Sequence, residues 1–151
     1  MKLTITTALL LAFSLWAGAQ DKEDLAACLR VVLETPEVNA TLKTGWAGQE
    51  QIYLRHSSYT TANPPLFTRL FEQLQAEDLE GLTYKFSLVE PGEAAYVPSE
   101  SRESGIIEVG GGFRGGRMVL TLFAWYPNDV RQQLNRSFIL EQRNEQWELA
   151  Q

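Results

Sequence analysis

The chain has 151 residues, with 13 Lys and Arg against 19 Asp and Glu, and a formal charge of -6 at pH 7. That length suits one domain with its own hydrophobic core, and the acidic balance, which repels phosphate backbones and anionic lipid surfaces, excludes nucleic acid as an expected partner. Cys28 is the only cysteine, so no intrachain disulfide is possible and the fold must rest on its core.

Residues 1–19 read as a secretory signal peptide. Lys2 is the only charge before Asp21, an apolar run extends from Ala8 to Trp16, and Ala17-Gly18-Ala19 precede Gln20. A basic start, a short apolar stretch and a small-residue cleavage site are the three parts of such a signal. The run is too short to span a bilayer, which needs about 20 residues. The expectation is export to the periplasm or the extracellular space. A mature domain would then cover residues 20–151, with no transmembrane segment. Leu25-Ala26-Ala27-Cys28 has the form of a bacterial lipobox, but Asp21, Lys22, Glu23 and Asp24 separate it from the apolar run. Charges placed in the membrane-embedded end of a signal cost roughly 2.5–3.5 kcal/mol each. Cleavage near Ala19 is therefore expected, with Cys28 an unmodified core residue rather than a lipid anchor.

Leu25, Cys28, Leu29, Val32 and Leu33 recur at spacings of three and four, which predicts a helix over 21–33. Acids crowd its first turn, and Thr35-Pro36 ends it. Residues 38–58 are ambiguous: Gly45 and Gly48 bracket Trp46-Ala47, and residues 51–55 have strand composition. Asn63-Pro64-Pro65 reads as a helix start, with Asn63 as N-cap, and Leu66, Phe67, Leu70, Phe71 and Leu74 follow at helical spacing. After Gly81 the period becomes two: Tyr84, Phe86 and Leu88 alternate with Lys85 and Ser87 until Pro91-Gly92. Ala94 to Val97 suit a short edge piece, and 99–104 a loop.

The C-terminal third carries the strongest strand signals. Ile106 to Val109 lead into Gly110-Gly111-Gly112, residues 117–126 form a long strand, and 137–142 pairs with 146–150 in a hairpin around Asn144. A turn between Arg143 and Gln146 puts Phe138 and Leu140 on the same face as Trp147 and Leu149. Together these elements predict an α+β domain, with helices packed on a curled antiparallel sheet.

One N-terminal helix, one mid-chain helix and long antiparallel strands closing in the Phe138/Leu140–Trp147/Leu149 hairpin resemble the cystatin-like and NTF2-like group of α+β folds. The order is also similar to that of small exported bacterial proteins of that group. The resemblance covers most of the mature chain and rests on element order, not on a motif. It departs from NTF2-like proteins in lacking a clear second N-terminal helix. It departs from cystatin inhibitors in lacking their Gln-x-Val-x-Gly loop, so protease inhibition is not carried over. Such folds serve many unrelated functions.

Candidate chemistry is sparse. His56 is the only histidine, beside Ser57 and Ser58, but adjacent residues do not converge as a base and nucleophile must, and no Gly-x-Ser-x-Gly elbow exists. A strand-end surface histidine is the expected role. One His and one Cys without HExxH or CxxC spacing predict no metal site. Glu90, Glu93, Glu100, Glu103 and Glu108 read as a solvated acidic loop. Residues 110–117 lack the Gly-Lys-Ser/Thr ending of a phosphate loop and precede a strand, so they read as a hairpin connection in which glycine supplies positive φ. Phe113 and Arg114 at its tip are the aromatic and cationic pair to test for binding.

The strand over 117–126 is apolar on both faces: Met118, Leu120, Leu122 and Ala124 on one, Val119, Phe123 and Trp125 on the other. One face meets the helices. The second needs cover from the chain itself, from a second subunit, or from a ligand. Phe123 and Trp125 therefore join Phe113 and Arg114 as binding candidates; no catalytic residue, metal ligand or cofactor is expected. The reading is a non-catalytic binding or interaction module whose partner is a protein or a small apolar ligand, with a homodimer through the sheet as one form. The alternative is an NTF2-like small-molecule enzyme with an apolar pocket, for which Glu108 and Tyr126 are the ionisable candidates.

Overall fold

The structure is a computed structural model and describes residues 22–49, 51–57, 64–89, 105–127 and 131–150. The signal-peptide reading, Asn63, the acidic stretch 90–104 and Ala94 to Val97 lie outside the described residues.

Helix α1 (residues 22–33) follows its predicted stripe, with Leu25, Cys28, Leu29, Val32 and Leu33 each 1 % exposed or less. Thr35 both ends it and starts the next helix, α2 (Pro36–Gly45). The Thr35 hydroxyl donates to the Val32 carbonyl at 2.9 Å and accepts from the Val38 N–H at 3.3 Å, and Pro36 follows with its φ already helical. The expectation of no clear second N-terminal helix is thus corrected. Only Val38, Leu42 and Gly45 of α2 are buried, a stripe too thin to read from period alone.

Strand β1 (Ile52–His56) precedes α3 (Pro64–Glu72), whose Phe67, Leu70 and Phe71 enter the core. A single 3-10 turn (Ala76–Leu79) leads to β2 (Phe86–Leu88). Tyr84 lies before β2 and meets Phe86 edge-on at 6.4 Å. Strands β3 (Ile106–Arg114), β4 (Arg117–Trp125), β5 (Gln133–Arg143) and β6 (Gln146–Leu149) complete a curled six-stranded sheet of order β2-β1-β3-β4-β5-β6. The fold is α+β.

Strands β3 to β6 pair antiparallel, as their alternation predicts. Strand β1 adds parallel pairings with β2 and β3, so the sheet is mixed. Parallel neighbours need a long crossover, and α3 lies in the one between β1 and β2. The helices share one core with Ile52, Leu54, Ile107, Val109, Met118, Leu120, Leu122 and Leu140, all at most 1 % exposed.

The glycine run corrects the expected connection. Gly110, Gly111 and Gly112 lie within β3, and the turn is the pair Gly115-Gly116, with φ of 57° and 76°. Both positive values fit a two-residue hairpin turn. Gly111 serves packing instead: a Cβ there would fall 2.2 Å from the Val119 carbonyl oxygen and 3.2 Å from the Phe67 ring. The missing side chain lets α3 settle on β3. At the other hairpin, Asn144 and Glu145 take φ of 50° and 64°, which places Leu140 opposite Leu149 and Gln142 opposite Trp147 as predicted.

Candidate functional site

Strand β4 turns Met118, Leu120, Leu122 and Ala124 toward the helices and Val119, Thr121, Phe123 and Trp125 to the other side. On that outer face the register with β5 places Ile139 beside Val119, Ser137 beside Thr121, Asn135 beside Phe123 and Gln133 beside Trp125. Phe123 and Trp125 meet edge to face at 5.9 Å, a favourable aromatic geometry. The Thr121 and Ser137 hydroxyls are hydrogen-bonded at 2.9 Å, so the polar pair between the apolar ones satisfies itself. Val119, Phe123 and Trp125 are half-buried, and Ile139 is 47 % exposed. This is an apolar patch whose polar neighbours on β5, Gln133, Asn135 and Ser137, are uncharged, bounded by the ion pairs Arg55–Glu108 and Arg117–Glu141.

Toward β1, the same face carries Glu108, beside Phe123 in register and ion-paired with Arg55 of β1. Their side chains are only 21 % and 13 % exposed, and a shielded charge is kept by its partner. Glu108 is thus engaged by the Arg55 guanidinium. Tyr126, the other ionisable candidate, packs edge-on against buried Trp46 at 5.1 Å and lies over Gly45, where a Cβ would fall 2.7 Å from its ring. It works as a packing residue there.

The four binding candidates do not form one site. Phe123 and Trp125 are together on the outer face. Phe113 faces the helix side, where it packs against Trp147 at 6.2 Å, and the turn lies beyond it at Gly115-Gly116. Arg114 ends β3, exposed and opposite Arg117. The placement of both at a loop tip is corrected: the three glycines continue the strand, and its alternation sends Phe113 inward. Ile139 and Arg55 belong to the outer face and were not singled out from sequence. The period-two pattern of Phe138 and Leu140 carries the signal for Ile139, which must point the opposite way.

His56 departs from the expected surface role. It ends β1 but is half-buried against Phe67 and Phe71, at 5.7 and 6.1 Å, and its Nε2 lies 3.2 Å from the Thr68 hydroxyl. Burial lowers its pKa, with the Glu72 carboxylate pulling weakly the other way. Burial, aided by nearby Asp24, pushes the Cys28 thiol far up, so it stays protonated and unreactive. Glu34 accepts from the Thr83 N–H at 2.6 Å and from its hydroxyl at 2.7 Å, contacts that lower its pKa. Among the described residues no three His, Cys, Asp or Glu side chains gather where they would hold a metal ion. No described helix is long and apolar enough to cross a membrane. No protein-family model matches the chain, and no curated protein or solved structure matches it significantly.

Proposed function

We propose that the protein is an exported, non-catalytic interaction module that associates with a second copy of itself through the outer face of β4 and β5. The observation that carries this reading is the patch of Val119, Phe123, Trp125 and Ile139. On this face every side chain from Val119 to Trp125 and from Gln133 to Ile139 is uncharged. A second copy can meet this stretch without opposing like charges, although the chain as a whole is acidic, and the charges that flank it are already ion-paired, Arg55 with Glu108 and Arg117 with Glu141. Two such sheet faces pack about 10 Å apart with interleaved side chains. The engagement of Glu108 by Arg55 and of Tyr126 by Trp46 supports a non-catalytic role. The burial of Cys28 inside α1 supports the reading of it as an unmodified core residue: a lipid on that sulfur would have to displace core contacts.

Sedimentation of the mature chain over a wide concentration range tests the association. The weight-average mass should rise with concentration, and Val119→Lys or Ile139→Lys should hold the protein as a monomer with its circular dichroism unchanged. A wild-type chain that stays monomeric throughout refutes the reading. Intact-mass measurement of the exported protein tests the cleavage site and the state of Cys28. A chain beginning near Gln20 is expected, and a diacylglycerol adduct on Cys28 would refute it.

A further inference from the structure

Strand β5 is much longer than the strand that borders it. It runs for 11 residues and pairs with β4 from Gln133 to Glu141, whereas β6 has 4 residues and pairs only with Leu140 to Arg143. One further bond, from the Ala150 N–H to the Ile139 carbonyl at 2.8 Å, closes that ladder. It also fixes the direction of the backbone. Alternate residues of a strand turn both their N–H and their C=O to the same side. Since Ile139 points toward β6, so do Ser137, Asn135 and Gln133, and among the described residues no strand pairs with them there.

A strand edge of this kind is a template for another strand, and folded proteins blunt such edges with proline, bulges, very short strands or charges. This stretch has no proline. Its one charge, Arg136, leans to the helix side, where it pairs with Glu37 of α2 at 2.7 Å. We propose that the uncovered edge of β5, from Gln133 to Phe138, takes up an extended acidic peptide segment of another protein as an added strand. This goes beyond the self-association through the outer face and uses different atoms, the main-chain groups of the edge.

Charge selects the occupant. From Arg131 to Leu140 the only charged residues are Arg131 and Arg136, with no acid between them. Pairing this edge with a second copy of itself would bring the two Arg136 side chains onto one face within a register step of each other, and like charges across a ladder repel. An added strand with a carboxylate near Arg136 supplies what the edge lacks. The side chains of Arg136 and Glu37 are each 55 % exposed, so their existing pair is weak and exchangeable. Main-chain hydrogen bonds would supply the affinity and the arginine the preference, as in other strand-addition modes.

The probe is a short synthetic peptide alternating valine with aspartate, followed by fluorescence anisotropy and amide hydrogen exchange. Saturable binding below about 1 mM is expected, tightening as salt falls. Exchange should slow at the N–H groups of Gln133, Asn135 and Ser137. The lysine counterpart of the peptide should bind about tenfold more weakly, Arg136→Glu should invert that preference, and Glu37→Gln should strengthen the acidic peptide. Asn135→Pro removes the central outward N–H while leaving the bonds to β4 in place, and should abolish binding. Should that variant fail to fold, a peptide N-methylated at alternate residues tests the same bonds from the other side. Val119→Lys, on the outer face, should leave peptide binding unchanged, which separates this inference from the self-association. Absence of saturable binding, equal binding of the lysine peptide, binding indifferent to N-methylation, or edge protection that grows with protein concentration alone would each overturn the proposal.

Discussion

The indole N–H of Trp147 donates to the Asp24 carboxylate at 2.9 Å, joining the last strand to the first helix across 123 residues of sequence. The same indole packs on Phe113, so β3, β6 and α1 meet at one corner of the core. A half-buried hydrogen bond to a charged group is worth more than a neutral one. A double-mutant cycle with Trp147→Phe and Asp24→Ala should give a coupling of about 1–2 kcal/mol in urea unfolding. Additive single losses would show that the contact contributes packing alone.

Two glycines of one hairpin, Gly111 within β3 and Gly115 in the turn, should behave differently. Gly111→Ala sets a Cβ against the Val119 carbonyl, a main-chain atom that cannot move aside, and should cost about 3 kcal/mol or more. Gly115→Ala has nothing within 4 Å but needs a φ of 57°, and should cost about 1 kcal/mol. By the same argument Glu145, with φ of 64°, is a poor residue for its turn, and Glu145→Gly should stabilise by up to about 1 kcal/mol. Urea midpoints measure all three.

Helices α1 and α3 were legible because their apolar stripes are wide, and the β5–β6 hairpin because Asn144 sits where two alternating runs meet in phase. Helix α2 was not, because only Val38 and Leu42 interrupt a polar surface and Thr35 carries two roles at once. The parallel pairing of β1 was also hidden: a strand's own residues do not say which neighbour a crossover will bring. Of the candidate site, Phe123 and Trp125 were legible from a strand apolar on both faces. The face taken by Phe113 depended on whether Gly110 to Gly112 break the strand or continue it. Glycine reads as a breaker unless the side chain descending on it, here Phe67, is known.

The single histidine should give the stability a pH dependence. Burial holds the folded pKa of His56 below its ordinary value near 6.5, so the unfolded chain binds a proton more readily. Stability is then fully present above that value and declines as pH falls through it toward the lower folded pKa. Glu34 is likewise depressed by its bonds to Thr83, so its contribution is present above the ordinary value near 4.5 and lost only at lower pH. Urea midpoints taken from about pH 7.5 down to about pH 5 should fall for the wild type and flatten in His56→Gln. An unchanged slope in the variant would assign the dependence to other groups.

Leu122 and Trp125 stand three residues apart on β4 and face opposite sides of the sheet, so they separate core from interface. Leu122 is fully buried beneath the helices, and Leu122→Ala should cost about 2–5 kcal/mol without altering self-association of the folded fraction. Trp125 is half-buried beside Phe123, so Trp125→Ala should cost about 2 kcal/mol or less in the monomer. Its larger effect should appear in sedimentation, as a shift toward monomer at concentrations where the wild type associates. A large loss of monomer stability with self-association intact would instead make Trp125 a core residue. The outer face of β4 would then be covered from within the chain.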